Sequence, residues 1–408
     1  MKPAVGLAVG RGTGAELAAV FERALHRIAA VCGSGAGIEI VRSPRTYHSY
    51  VSLRQEVGDT ARIRRLTEED ARHYERFCRE RARLGTTAVF RTAVNAQSLY
   101  LVRQRLQAVK VEPITAGDAS LLLVRDEAQG FYTGENRHTP GVVTRTMEFS
   151  REITRKVLDF AVRRARRQWP DGGPARVVMA YKHHLLDGAL DDWVDEIARG
   201  LGVEVRLFQP DTVNRNLITH GPGDRTVIVA GNEWADIMHV VLLDRFGGER
   251  QENRCTENVH LHPELGELVE YQTVHGSADD LTGKDTVNPV ATLRAAAAIA
   301  ERHAGVPGAV AAVEAALAAA GRSGVRTPDL GGRHSTTDVV DAVLDGLTAR
   351  VPAGPPPVAA PRPLVGPRTA GDALPTGARA AEPLAADVLP VGTVPVGTLP
   401  VGTLADRP

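Results

Sequence analysis

The first chemical suggestion in this chain is a glycine loop near its start. Gly10-Arg11-Gly12-Thr13-Gly14-Ala15 satisfies the Gly-x-Gly-x-x-Gly/Ala spacing that cradles a dinucleotide pyrophosphate when a strand precedes it and a helix follows. Residues 5–9 read as that strand and residues 15–31 as that helix, and Glu39, on a second strand at 38–41, stands where an acid would hold the ribose. The same spacing also serves a tight strand-to-helix turn that needs small residues, and this window alone leaves both readings open. Further along, polar segments interrupt apolar runs: Arg125-Asp126-Glu127-Ala128-Gln129-Gly130-Phe131-Tyr132-Thr133-Gly134, Tyr181-Lys182-His183-His184, Gln209-Pro210-Asp211-Thr212, Asn232-Glu233-Trp234-Ala235-Asp236, and a long loop from His275 to Asn288. Ligands of α/β proteins gather beyond the carboxyl ends of strands, which marks Lys182 and Asp211 as site candidates. Taken singly, the others have ordinary roles. Tyr132 suits a half-buried strand end, and Asp236 suits the positive end of a helix. His183 and His184 are neighbours that point to opposite sides of a strand, a poor arrangement for holding one ion.

Taken together and in this order, these segments resemble the isocitrate/isopropylmalate dehydrogenase family of β-decarboxylating enzymes. Residues 275–289 are similar to the family's His-Gly-Ser-Ala-Pro-Asp-x-x-Gly-Lys-x-x-x-Asn-Pro, with Asp279 at the proline position. Arg125 to Gly134 is similar to Arg-Glu-x-x-x-Gly-x-Tyr-x-Gly, and the N-terminal Gly-x-Gly-x-Gly-x-Glu ends at Glu16. The resemblance covers most of residues 4–305 and is thin between 42 and 118. It implies an α/β fold, an isocitrate/isopropylmalate dehydrogenase-like two-domain α/β/α sandwich, and it demotes the glycine loop as the dinucleotide site. The implied reaction oxidises and decarboxylates a malate-type 2-hydroxy di- or tricarboxylic acid of the isocitrate or 3-isopropylmalate type. In that reading Lys182 is the base that takes the hydroxyl proton and Tyr132 the acid that reprotonates carbon. Arg125 and Arg103 bind substrate carboxylate, joined by Ser98, while Asp211 and Asp236 coordinate Mg²⁺ or Mn²⁺. His275, Gly276, Ser277, Ala278, Asp280 and Asn288 wrap the cofactor, and the acid at Asp280 favours NAD over NADP. The family's lysine and one of its aspartates reach in from a neighbouring subunit, which implies a homodimer with shared active sites.

Three positions depart from the family pattern. The metal helix reads Asp236-Ile237-Met238-His239-Val240, so a second acid four residues on has become Val240, with His239 or Asp244 as candidate substitutes. His184 stands where relatives have asparagine, and the Arg-Pro after the arginine helix is missing, Lys110 being the nearest cation. These changes motivate two alternatives: a non-catalytic or regulatory family member, and a specialised biosynthetic enzyme with an altered substrate.

The elements that would position these residues alternate in type. Besides those named, strands are expected at 120–124, 176–181, 203–208 and 226–230, and helices at 151–168, 191–200, 288–303 and 308–321. The arginines at 163, 164, 166 and 167 suit a solvated helix face. Residues 1–98 and 252–350 are expected to form a large cofactor-binding domain, and 99–251 a smaller substrate and dimerisation domain. Residues 351–408 are rich in proline, alanine and glycine and repeat Leu389-Pro390-Val391-Gly392-Thr393 twice more with small changes, the composition of a disordered tail. The chain of 408 residues balances 49 lysines and arginines against 49 aspartates and glutamates, which disfavours a nucleic-acid partner. Three scattered cysteines, no leader-like start and no long apolar run point to a soluble cytoplasmic protein with no membrane partner.

Overall fold

The computed structural model describes residues 2–33, 37–56, 59–116, 118–246, 250–273 and 276–348. Two compact units are distinguished, Met1–Arg362 and Pro363–Pro408, and the second lies wholly outside the described residues. The expected tail at 351–408 and the site candidate His275 are outside them as well.

The chain lays down strands β1 (Ala4–Gly10), β2 (Glu39–Tyr47), β3 (Ala88–Arg91), β4 (Ala108–Ala116), β5 (Ala119–Asp126), β6 (Glu135–Thr139), β7 (Val142–Thr146), β8 (Arg176–Ala180), β9 (Val205–Phe208), β10 (Thr226–Gly231), β11 (Cys255–His260) and β12 (Val269–Thr273). Its helices are α1 (Gly14–Cys32), α2 (Tyr50–Glu56), α3 (Thr60–Arg83), α4 (Ala96–Arg105), α5 (Arg151–Gln168), α6 (Ala189–Leu201), α7 (Pro210–His220), α8 (Asn232–Arg245), α9 (Val290–His303), α10 (Ala309–Arg322) and α11 (Thr336–Asp345). Ten strands form one mixed sheet in the order β2-β1-β3-β12-β11-β4-β5-β10-β8-β9, and β6 with β7 makes a separate hairpin. The flanks are parallel, and the middle run β12-β11-β4-β5 is antiparallel.

Alternation along each strand sends apolar side chains to both faces, and helices cover both, giving three α/β/α layers. On one face α1, α9, α10 and α11 pack on β1, β3 and β12, while α5 and α6 pack on β4, β5, β8 and β10. On the other, α3 and α4 cover β1 and β3, and α7 and α8 cover β5, β8 and β10. The sheet crosses from residues of the expected large domain to those of the expected smaller one without a break. Helix α9 begins at Val290, two residues into the expected span, and Asn288 Oδ1 accepts from the Val290 amide at 3.0 Å. The arginine face of α5 is less free than expected. Arg163 pairs with Asp159 and Glu267, Arg164 with Glu257, and Arg166 donates to the Leu201 carbonyl. His183 and His184 lie on a 3₁₀ turn and not on a strand.

The glycine loop resolves in favour of close packing. A Cβ on Gly10 would sit 1.7 Å from the Ala93 carbonyl oxygen, and one on Gly12, at φ +72°, would sit 2.4 Å from the Ser277 carbonyl oxygen. The loop is therefore filled by protein backbone. Glu39 cannot be its ribose acid, because β2 pairs in parallel with β1 and places Glu39 opposite Ala4, at the far end of the strand from Gly10. We expect Gly10→Ala to cost about 3 kcal/mol in urea denaturation, since the backbone it meets has little room to yield; an unchanged midpoint would contradict this packing.

Candidate active site

Strands β5, β10, β8 and β9 end level with one another. Register pairs Ala230 with both Arg125 and Ala180, and Ala180 with Phe208, so the segments carrying Arg125, Lys182, Asp211 and the start of α8 leave the sheet along one edge. Arg125, buried near the end of β5, is the hub. Its Nη2 donates to Asn232 Oδ1 at 2.7 Å and to Asp236 Oδ1. Tyr132, on the 3₁₀ turn Phe131–Thr133, donates its hydroxyl to Asp236 Oδ2 at 3.2 Å, and its ring lies 4.8 Å from that of Tyr100 on α4. Burial and the neighbouring Asp236 carboxylate push the Tyr132 hydroxyl up to about 12, so it keeps its proton throughout the physiological range.

Lys182 anchors a second group. Its Nζ donates to Asp211 Oδ1 at 2.7 Å and Gln209 Oε1 at 3.2 Å, and lies 5.9 Å from the ring centre of Trp234, two residues before Asp236 on α8. The hydrogen bond from Lys182 holds the Asp211 carboxyl below its ordinary range. Asp126 ties the two groups together: it accepts from the Ala128 amide at 3.0 Å, Gln129 Nε2 at 2.8 Å and the Tyr181 hydroxyl at 3.0 Å, fixing the loop after β5 to the residue before Lys182.

Beneath Arg125 runs a row of buried polar side chains across the antiparallel middle of the sheet. Cross-strand register sets Arg91 beside Gln272, Glu270 beside Asn258, Asn258 beside Lys110, and Lys110 beside Arg125. Lys110 Nζ is 3.3 Å from Glu112 Oε1, His239 Nε2 is 2.9 Å from Glu112 Oε2, and Arg125 Nη1 is 3.9 Å from Glu112 Oε1. Burial alone would raise the Glu112 carboxyl, but Lys110, His239 and Arg125 outweigh it and hold it well below the usual range. Burial lowers Lys110 against the opposing pull of Glu112. Further along, Arg91 lies 3.0 Å from Glu270, whose pKa is brought down to about 2, against burial, by Arg91, His260 and Arg103.

The expected site residues fall into three groups. Arg125, Tyr132 and Asp236 come together, and Lys182 meets Asp211. Arg103 reaches the same cleft but is already held, with Nε 3.1 Å from Glu127 Oε2 and Nη2 donating to Gln272 Oε1 at 3.3 Å. Ser98 is buried and donates its hydroxyl to the Thr67 carbonyl at 3.0 Å, a contact between α4 and α3. His239 points at Glu112, which removes it as a substitute metal ligand. Glu112 and Tyr100 are unforeseen members, and Glu127 and Asn232 lie within the polar segments of the sequence without an expected role. The run Ala108-Val109-Lys110-Val111-Glu112-Pro113 carried a signal, because two charges at alternate positions of an otherwise apolar strand share one face.

The loop after β12 lies against the glycine turn: the Ser277 carbonyl accepts from the Thr13 amide and hydroxyl, each at 3.0 Å. Asp279, at the family's proline position, accepts from Ser49 Oγ at 2.8 Å and from Ser277 Oγ. Asp280 is exposed, and Ala278 takes a left-handed φ of +42°. Asn288 is committed to protein, donating to Asn253 and Asp329 at 2.9 Å each.

The two carboxylates expected to hold a divalent ion, Asp236 and Asp211, have 46% and 64% of their side-chain surface exposed, and each is paired with a cation. Among the described residues no three His, Cys, Asp or Glu side chains gather as a metal cage, and Val240 is exposed where a third acid would stand. Hard oxygen donors of this kind fit Mg²⁺ or Mn²⁺ with substrate oxygens completing the shell.

The sequence pattern of the isocitrate/isopropylmalate dehydrogenases matches residues 68–343. The chain belongs to the isocitrate/isopropylmalate dehydrogenase family. It is 27% identical over 303 residues to a 3-isopropylmalate dehydrogenase of Novosphingobium aromaticivorans, covering 68% of this chain and 80% of the relative. It is 29% identical over 244 residues to a probable tartrate dehydrogenase/decarboxylase of Agrobacterium vitis, covering 57% of this chain and 64% of the relative, slightly less than two thirds of that protein's length. Among solved structures it is similar in fold to the apo β-decarboxylating dehydrogenase of Thermococcus kodakarensis (TM-score 0.56, 23% identity, 84% of this chain and 96% of the other). It is likewise similar to the isocitrate dehydrogenase of Methylococcus capsulatus (TM-score 0.59, 18% identity, 84% and 99%). The family is one of enzymes, and no described helix is long and apolar enough to cross a membrane.

Two measurements probe this geometry. Burial raises the Asp126 carboxyl to about 6, so the folded state binds its proton more tightly than the unfolded chain and stability falls as pH rises from about 4 to about 6. Asp126→Asn is expected to remove that slope, worth on the order of 3 kcal/mol, in urea titrations across this window; parallel curves for the two proteins would contradict the assignment. Val240→Asp should tighten Mn²⁺ binding by about tenfold in calorimetry by restoring an acid one turn beyond Asp236, and unchanged affinity would show that α8 does not face the ion.

Proposed function

We propose that the chain is an NAD-dependent, divalent-metal-assisted dehydrogenase that oxidises and decarboxylates a malate-type 2-hydroxy acid. The carrying observation is the meeting of Arg125, Tyr132 and Asp236 at the sheet edge that also bears Lys182 and Asp211. Arg125 takes a substrate carboxylate when Asp236 releases it, and its fixed donors orient the acid. Lys182, in its neutral amine form, accepts the proton of the substrate hydroxyl as the carbinol hydrogen leaves as hydride. The β-keto acid so formed loses carbon dioxide, and the electrons left on the adjacent carbon are quenched by the Tyr132 proton. NAD would lie along Gly276 to Asp280 and take the hydride, and Mg²⁺ or Mn²⁺ held by Asp211 and Asp236 would supply positive charge beside the reacting oxygen.

A homodimer with shared sites is part of this reading. Lys182 pairs with Asp211 and not with Asp236, as expected if each pair serves the partner's cleft. The outer surface of α8 next to Asp236 exposes Ile237 and Val240, and the β6–β7 hairpin exposes Val142 and Val143. Apolar side chains grouped this way beside a polar site suit a covered interface.

The experiment is NADH formation from malate, tartrate, 3-isopropylmalate and isocitrate with added Mn²⁺. At least one acid should support turnover, and Lys182→Met should lower kcat about 10²–10⁴-fold with an unchanged melting temperature. Silence over the whole panel, with no thermal shift from any acid, would favour the non-catalytic reading that Val240 suggests.

A further inference from the structure

Three cations pair with three carboxylates beside the candidate site: Arg103 with Glu127, Lys110 with Glu112, and Arg125 with Asp236. They share one electrostatic environment, since the charges of Arg125 and Arg103 both lower Lys110. The three acids are not equivalent. Glu112 and Glu127 each keep about 1% of their side-chain surface exposed, whereas Asp236 keeps 46%. A carboxylate at the surface can swing into water and surrender its cation to a ligand. One enclosed on all sides can leave only by passing through the packed interior, so its partner stays neutralised. Of the three cations, Arg125 alone has its close carboxylate at the surface; its other carboxylate neighbour, the buried Glu112, stands farther off at 3.9 Å. Lys110 is further committed by the His239 imidazole on the other oxygen of Glu112, which fixes that carboxylate in place. Arg103 is fixed by its second bond to Gln272.

We infer that Glu112 and Glu127 are specificity-determining residues that cancel the charge of Lys110 and Arg103, so that the cleft clamps one substrate carboxylate on Arg125 and rejects a third. The inference rests on the dehydrogenase reading above and narrows it: the substrate is a 2-hydroxy diacid whose remaining substituent is uncharged. The second carboxylate, lost as carbon dioxide, needs no tight clamp of its own. A third would enter a cleft whose remaining buried cations are already matched, and an unmatched buried charge carries a large penalty.

The test compares kcat/KM for 3-isopropylmalate, malate and isocitrate in the wild-type chain and in Glu112→Gln, with thermal shifts by each acid as a second readout. Wild type should prefer the better diacid over isocitrate by about 100-fold, and Glu112→Gln, which frees Lys110 while preserving shape, should narrow that ratio by about tenfold. A merely structural role for Glu112 would lower all three rates together and leave the ratio unchanged, which would overturn the inference. Should Glu112→Gln fail to fold, Glu127→Gln releases Arg103 and carries the same expectation. Isocitrate used as well as the diacids by wild type would overturn the charge argument and leave the dehydrogenase reading intact. If no acid is oxidised or shifts the melting temperature, that reading falls and takes the inference with it.

Discussion

Charge buried beneath helices must be matched within the protein, and that constraint organises this molecule. The antiparallel middle of the sheet turns Glu270, Asn258, Lys110, Glu112 and Arg125 toward the interior beside Arg91 of β3, between two apolar clusters. No single member could stay there ionised alone, because desolvating a charge costs several kcal/mol or more unless a partner offsets it. Each is therefore coupled to a neighbour across a strand or from an overlying helix. A core built for stability alone would have used apolar residues of similar volume. The row instead retains charges on one face, and it leads to the edge where Arg125, Tyr132 and Asp236 meet.

This arrangement also explains which parts of the fold were legible in the sequence. Strands β1, β5, β8 and β10 are largely apolar runs buried along most of their length, and helices α1, α5, α6, α9 and α10 are expected from the sequence. The antiparallel middle was not read: β4, β11 and β12 alternate apolar side chains with lysine, glutamate, asparagine and histidine, a pattern that a solvent-facing strand also gives. Helix α3 was missed too. Its 24 residues are so rich in arginine and glutamate that the apolar stripe of Ala71, Tyr74, Phe77 and Cys78 is diluted.

The site divides in the same way. Lys182, Asp211, Arg125, Tyr132 and Asp236 sit at strand ends or helix starts inside recognisable motifs, and the structure brings them together in two adjoining groups. Glu112 and His239 lie inside elements, where their roles depend on partners distant in sequence, and the folded register shows which partners those are. The glycine loop shows the opposite error. Its spacing suits a dinucleotide, yet its glycines are required by the backbone of Ala93 and Ser277 pressing against them.

The account turns on whether the Lys182–Asp211 pair of one subunit completes the Arg125–Tyr132–Asp236 cleft of another. Co-expression of Lys182→Met and Asp236→Asn chains, each inactive alone, tests this directly once mixed dimers are shown to form. Random pairing leaves one intact cleft in half of the dimers, so about a quarter of wild-type NADH formation should return. A mixture no more active than its parents would contradict it.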